Sequence, residues 1–311
     1  MQLLKIKDHD LFSPLPQAMI QKLEEEQYLN IEEEQRIQLN DLRKQELEAK
    51  VTSIKESTGG SWVNLGGFSF GTEEKKTLEQ LCEAIKVNTS TIERLYLDGN
   101  ELGTGKLENA RLLFDTLKTN ENIQGLILDS NDLGLASLEI MKVLSEALIA
   151  NKFIKVLFLN NNKLGSATEE NMKLLCKAIK KNKSLQSIGL GQNDFGQSTL
   201  KNVELLCDAL KNHETIEEVF MDNNELGSCS SDLMAKICEW IENNSPIRLL
   251  DLEFNKLGRA EIGILKMLYG SLKKRKNLKE LRVFDCNSFE ADSSNETAEM
   301  SELFQKLEEG V

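Results

Sequence analysis

The stretch Ile92-x-x-Leu95-x-Leu97-x-x-Asn100-x-Leu102-Gly103 decides how the whole chain is read, because it returns every 31 residues. Leu95 is followed by Leu126, Leu157, Ile188, Val219, Leu250 and Leu281, and Leu97 by Leu128, Leu159, Leu190, Met221, Leu252 and Val283. Asn recurs at Asn100, Asn131, Asn162, Asn193, Asn224 and Asn255. Behind it stand Leu102, Leu133, Leu164, Phe195, Leu226 and Leu257, each followed by Gly. A degenerate copy lies 32 residues upstream, with Val63, Leu65, Phe68, Phe70 and Gly71, so there are about eight units. A self-similar period of this length is the signature of stacked repeats, none of which can bury its apolar face alone.

Each unit has two halves with different periods. Ile123 to Leu128 alternates like a short strand, while Leu138 to Ala150 places apolar residues at helical spacing. Between them Asn-x-Leu-Gly turns the chain, with Gly expected to supply backbone angles that side chains forbid. Ser166 with Glu169 fits a capping box on the following helix. The Asn amide has two donor hydrogens and two acceptor lone pairs, enough to bond the turns above and below it. A structural Asn ladder is the expectation.

This pattern resembles the leucine-rich repeat proteins, in the long-repeat subclass of ribonuclease inhibitor, over about residues 61–290. The resemblance implies an α/β, right-handed solenoid shaped as a horseshoe, with a parallel sheet on the concave face and helices outside. Residues 1–60 then form an N-terminal helical cap or adaptor segment, and residues 291–311 a C-terminal acidic helical cap.

Charge and composition narrow the function. The net charge is −13, yet residues 1–60 hold 8 Lys/Arg against 12 Asp/Glu, and residues 285–311 hold 1 against 8. The repeats between are nearly neutral, and the one basic run is Lys273, Lys274, Arg275, Lys276 and Lys279. A nucleic-acid partner needs clustered positive charge to release counterions, so none is expected. No apolar run approaches the roughly 20 residues of a membrane span, so no membrane insertion is expected. The start, MQLLKIKDHD, lacks the apolar core of a secretory signal, which gives a cytoplasmic-type protein.

Six cysteines invite a disulfide or zinc reading, but the register assigns most of them to packing. Cys176, Cys207 and Cys238 share one helix position, Cys82 is its first copy, and Cys286 falls on the ladder column; only Cys229 has no assigned place. Reduced, buried thiols follow, with no metal and no cofactor. His9 and His213 lie far apart with no nucleophile or carboxylate at a telling spacing. Gly99 to Lys106 imitates a phosphate loop with the wrong glycine spacing, and Leu107 replaces the required hydroxyl. No catalysis is expected.

Alternation along a strand leaves one column free of core duty. It reads Tyr96, Ile127, Phe158, Gly189, Phe220, Asp251 and Arg282; two residues further stand Asp98, Asp129, Asn160, Gly191, Asp222, Glu253 and Phe284. An apolar patch beside one sign of charge marks a protein-binding surface. Strands about 4.8 Å apart make seven positions span roughly 29 Å, the length of a helix of about 19 residues. The expected partner is a protein with a basic, partly apolar surface, whose side chain enters a gap at Gly189 and Gly191. The expected protomer is a monomer.

At the N-terminal end, Ile20, Leu23, Ile31, Leu39, Leu42 and Leu47 give a broken helical stripe. Leu15-Pro16, Tyr28-Leu29, Ile31, Arg36-Ile37 and Leu39 resemble an F-box, with Lys44 in place of an aromatic. That resemblance implies a substrate receptor of a ubiquitin ligase. At the other end Phe289 closes the last unit, and Met300, Leu303, Phe304 and Leu307 share one helical face. Low Pro with abundant Lys, Glu and Asn resembles bacterial effectors delivered into host cells. A further alternative is a small-GTPase-activating protein, for which Arg94 is the one candidate catalytic residue.

Overall fold

The computed structural model describes residues 33–57, 60–88, 92–211, 213–243, 246–275 and 277–283, with only the backbone of 33–41. Eight three-residue strands form a single parallel sheet in strictly sequential order. They are β1 Trp62–Asn64, β2 Arg94–Tyr96, β3 Gly125–Ile127, β4 Val156–Phe158, β5 Ser187–Gly189, β6 Glu218–Phe220, β7 Leu249–Asp251 and β8 Glu280–Arg282. The register pairs Leu95 with Leu126, Leu126 with Leu157, and so on through Leu281, so residues one period apart are neighbours across the sheet.

A helix precedes the sheet and one follows each of the first seven strands. These are α1 Glu33–Lys55, α2 Lys75–Val87, α3 Leu107–Thr119, α4 Leu138–Ala150, α5 Glu169–Lys181, α6 Leu200–Lys211, α7 Ser231–Asn243 and α8 Ile262–Lys273. Short 3-10 turns occupy the Leu-Gly positions, such as Leu133–Leu135 and Leu164–Ser166. Helices pack about 8–10 Å apart, but strands only about 4.8 Å, so the sheet lines the inside of the arc. Between the layers the columns that start at Leu95 and Leu97 are buried, apart from the half-buried Leu281 at the end, and are joined by Phe114, Phe195 and Trp240.

The asparagine column satisfies the loops. Asn162 Nδ2 donates to Leu128 O (2.8 Å) and Asn160 O (3.1 Å), while its Oδ1 accepts from Asn131 N (2.9 Å) and Leu133 N (3.2 Å). All four bonding positions of the amide are used, and all six ladder asparagines have no exposed surface.

Two local readings are corrected. The glycines after the ladder do not supply left-handed angles; that conformation falls on the residues two before them, Glu101, Asp132, Lys163, Asp194, Glu225 and Lys256. Gly134 is required instead because a Cβ there would collide with the backbone carbonyl of Lys163 in the next unit, and Gly103 faces Asp132 the same way. The helix cap likewise shifts. Ser166 ends a 3-10 turn, and Thr168 caps α5 by accepting from Asn171 N at 3.2 Å. Ser137, Thr199 and Ser230 do the same one period apart.

Helix α1 packs onto the first unit through Leu47, Val51 and Ile54, while Leu42 is 61% exposed. In the described part of the helix the burying face is i, i+4, i+7 from Leu47, and Leu42 lies off it; Ile20, Leu23, Ile31 and the side chain of Leu39 lie outside the described residues. Most of the F-box resemblance, the C-terminal helix of Met300 to Leu307, Phe289 and Cys286 lie outside the described residues.

Five described cysteines are buried free thiols. Burial raises Cys82 to about 11 and Cys176 to about 12. Cys229 finds its explanation in a small-residue column with Ala136, Ala167, Ser198 and Ala260. His213 takes the place of Asn120, Asn151 and Asn182 in a second ladder at the helix ends. Asn182 Nδ2 donates to Leu148 O at 2.7 Å, and His213 Nε2 donates to Asn182 O at 2.7 Å. The other ring nitrogen, Nδ1, accepts from Thr215 N and Ile216 N, which fixes the neutral ring. Burial holds the His213 pKa below its ordinary value.

Candidate functional site

Three columns line the inner face, because residues on both sides of each inward leucine point away from the core. Two of them are the columns of Tyr96 and of Asp98. The third is Trp62, Arg94, Gly125, Val156, Ser187, Glu218, Leu249 and Glu280, the first residues of the eight strands. It places Trp62, 50% exposed, at the N-terminal end of the face. The Arg94 guanidinium lies 5.4 Å from the Trp62 ring, and its aliphatic stem leans over Gly125. Arg94 is thus an exposed residue of the inner face, stacked on an aromatic ring.

The middle column carries the rings. Tyr96, Phe158 and Phe220 are half-buried, and Ile127 is 8% exposed. Phe158 and Phe220 meet edge to face with centroids 5.8 Å apart, a favoured aromatic geometry. They belong to β4 and β6, and they touch because Gly189 on β5 leaves room between them. The expected gap at Gly189 is therefore occupied: a Cβ there would sit 2.9 Å from the Phe158 ring and from Asn160 Oδ1. The column ends with Asp251, 5% exposed, whose Oδ2 receives Arg282 Nη1 at 3.4 Å. Arg282 also bonds Glu280 Oε1 at 2.7 Å and lies 6.0 Å from the Phe220 ring.

The acidic column is organised by glycine and asparagine. Asp98 lies against Gly66 and Asp222 against Gly191, where an added Cβ would stand 2.5 Å from a carboxylate oxygen in both cases. The gap at Gly191 is thus filled by the Asp222 carboxylate. Asp129 Oδ1 accepts from Asn160 N (2.8 Å) and its Oδ2 from Asn160 Nδ2 (3.1 Å). Asn160 Oδ1 in turn accepts from Gly191 N at 2.7 Å, so the column is tied together from β3 to β5. Glu253 is half-buried, its N–H bonded to Asp251 Oδ1 at 2.9 Å; Phe284 lies outside the described residues.

Burial is the largest influence on these carboxyls. It raises Asp129 to about 7, with Asp98 and Asp222 adding repulsion and the Asn160 hydrogen bonds opposing it. Asp98 is raised by burial, and Asp222 by burial and then by Asp251. Low dielectric and like charge both disfavour the ionised form.

One residue at the rim had no sequence signal. Phe254 follows the acidic column with φ +58°, where the other units place Gly99, Ser130, Asn161, Gln192 and Asn223. A bulky residue in this left-handed region is strained, and its ring is also 38% exposed. On the outer face, a small cleft between α6 and α7 is lined by Glu204, Cys207, Asp208, Lys211, Lys236, Glu239 and Trp240. Its charges pair with one another, Lys211 with Glu239 at 2.8 Å and Lys236 with Glu204 at 3.4 Å. Among the described residues no group of three or more His, Cys, Asp or Glu is placed to hold a metal ion, and no helix is long and apolar enough to cross a membrane.

A sequential parallel sheet, a helix per unit and a bonded asparagine ladder together define the leucine-rich repeat fold. Among solved structures, the chain is similar to the leucine-rich repeat-containing protein LegL7 from Legionella pneumophila, at 18% identity over 78% of this chain and 80% of that one, with a TM-score of 0.51. Partial likenesses at TM-scores of 0.38 and 0.39 link it to leiomodin-1 actin-binding site 2 (20% identity, 52% of this chain, 88% of that one) and to the tropomodulin C-terminal domain of Caenorhabditis elegans (18%, 54%, 92%). No family model and no curated protein matches the sequence.

Proposed function

We propose that this protein is a non-enzymatic interaction scaffold that docks a protein partner on its inner sheet face. Tyr96, Ile127, Phe158 and Phe220 are its anchor, and Asp98, Asp129, Asn160, Asp222, Asp251 and Glu253 its polar flank, with Arg282 closing one end. The observation that carries the reading is the aromatic pair Phe158–Phe220, held at half exposure on a face with no core duty. Binding energy concentrates in such rings. Phe254 belongs to the same surface, because backbone strain and ring exposure coincide there. The flank calls for a basic, partly apolar partner. Residues 1–60 and 291–311 act as caps, and the protomer acts alone.

The composition and the likeness to a Legionella pneumophila protein support delivery into a host cell as its setting. An affinity capture from host-cell lysate with wild type and a Tyr96→Ala/Phe158→Ala/Phe220→Ala control tests the face. Partners retained equally by both proteins would overturn it. GTP turnover by small GTPases, measured with and without wild type and Arg94→Ala, tests the enzymatic alternative; unchanged turnover is expected.

A further inference from the structure

Two arginines of the inner face lie over aromatic rings, one near each end of the sheet. Arg282 on β8 stands 6.0 Å from the Phe220 ring, and the protein itself fills its donor edge. Its Nε donates to Glu280 Oε1 at 2.7 Å, and its Nη1 to Asp251 Oδ2 at 3.4 Å. Arg94 on β2 stands 5.4 Å from the Trp62 ring, the same arrangement with the acids left out. Among the described residues no carboxylate, the neighbouring Glu93 included, pairs with it. Arg248, just before β7, is by contrast paired with Glu217 at 3.3 Å.

The surroundings hold Arg94 in place. Gly125 on β3 makes room for its aliphatic stem, since a Cβ there would stand 2.9 Å from Arg94 Cγ. Trp62 on β1, half exposed, backs the guanidinium, and Tyr96 follows on the same face of β2. A stem seated over a glycine and a plane stacked on a ring set the guanidinium fork before anything binds, which lowers the entropy lost on binding. That fork matches a carboxylate with two parallel N–H···O bonds.

We propose that Trp62 and Arg94 form a receptor for an acidic side chain of the docked partner, which completes Arg94 as Asp251 and Glu280 complete Arg282. The proposal rests on the inner-face reading above and deepens it, because it gives the partner a polarity. The occupant is a Glu or Asp of the partner with an adjoining apolar side chain against Trp62. The acidic column begins at Asp98, four residues beyond Arg94 or about 13 Å along the strand direction, so the partner's basic groups lie on the opposite side of the face. Strands β4 and β6, which carry Phe158 and Phe220, lie about 10 and 19 Å from β2. A helix crossing the strands covers those distances in roughly 7–13 residues, which is the interval expected between its acid and its ring-contacting residues.

The probe is a phage-displayed library of random peptides about 18 residues long, selected on the full chain and on its Arg94→Gln variant. Wild type is expected to enrich peptides with a Glu or Asp roughly 7–13 residues from an apolar cluster, and Arg94→Gln to lose that acid. With the best peptide made synthetically, Arg94→Gln should weaken binding about tenfold, as should replacing the peptide's acid by its amide. The two changes together should cost no more than either alone. Arg94→Lys keeps the charge without the fork and should recover only part of the loss. Docking should also shield Trp62 from acrylamide quenching, a signal open to Trp62 because the chain's other tryptophan, Trp240, is buried. Enriched peptides without the acid, or binding unchanged in Arg94→Gln, overturn the proposal; if Phe158→Ala still abolishes that binding, the inner-face reading stands alone. Binding indifferent to both variants, or no enrichment on wild type, sinks both. A phosphoserine in place of the acid that binds more than about tenfold tighter would make the occupant a phosphorylated segment and overturn the carboxylate.

Discussion

Two polar columns run the length of the sheet two residues apart, and they are built on opposite rules. The ladder from Asn100 to Asn255 has no exposed surface and spends its bonding capacity on neighbouring backbone. The column from Asp98 to Asp222 is also partly buried, but among the described residues its carboxylates have no ion pair and Asp98 Oδ1 has no hydrogen-bond partner. Depth of burial alone therefore does not distinguish the two columns. What distinguishes them is bonding, the asparagine amides being closed on neighbouring backbone and the carboxylates bonded only in part.

Breaking the closed column should have the largest effect. Asn162→Ala removes the partners of Asn131 N, Leu133 N and Leu128 O. At about 1–3 kcal/mol per orphaned buried group, the loss in urea unfolding should be on the order of 5 kcal/mol. Next comes the contrast between inward and outward residues of one strand unit. Leu159→Ala, inside the core, should cost about 2–5 kcal/mol, whereas Phe158→Ala on the inner face should cost much less. Equal drops in the unfolding midpoint would reverse the assignment of faces.

Titration sharpens the comparison in both directions. Asp129 holds its folded-state proton up to about 7, against 3.8 for a free carboxyl. Its contribution to stability is full below 3.8 and is lost as pH rises through about 7. His213, held below its ordinary 6.5, has the opposite sign: its contribution is present above 6.5 and is lost as pH falls. Asp129→Asn should therefore stabilise the protein above neutrality and flatten its profile from 3.8 to 7. His213→Asn, which restores the ladder residue, should remove part of the loss below 6.5. Midpoints measured across this range separate the two. The smallest expected effect is a gain: Phe254→Asn relieves the left-handed strain and should add about 1 kcal/mol, while weakening partner binding. A loss of stability in that variant would remove Phe254 from the proposed surface.

The period alone carried the fold, because the spacing of Leu95, Leu97 and Asn100 fixes which residues become neighbours across a parallel sheet. It also placed Tyr96, Phe158 and Asp129 on one face. It did not reveal how far side chains lean. Phe158 and Phe220 closing over Gly189, and Asp222 lying on Gly191, depend on space that only coordinates show. The Trp62–Arg94 column follows from the same alternation, taken on the other side of Leu95. The helix-end ladder was visible as Asn120, Asn151 and Asn182, one period apart. There the odd member, His213, reads as a stray histidine until its bonds are seen. The strain at Phe254 left no trace in composition, since a backbone angle is not written in spacing.

The ladders also give the molecule a direction. Asn162 fastens the loop of the unit before it, Asn193 fastens that of Asn162, and the helix-end and cap rows reach the same way, as Asn182 does to Leu148 and Asn202 to Ala167. Every amide arm thus points toward the N-terminus, like hooks on a zip. Among the ladder bonds, cutting a unit from the C-terminal side strips the acceptor from two backbone N–H groups of the loop before it, whereas cutting one from the N-terminal side takes from the next asparagine a single carbonyl acceptor. Proteolysis or mechanical pulling should accordingly unravel this chain as a ratchet does, one unit at a time and from the C-terminal end inward.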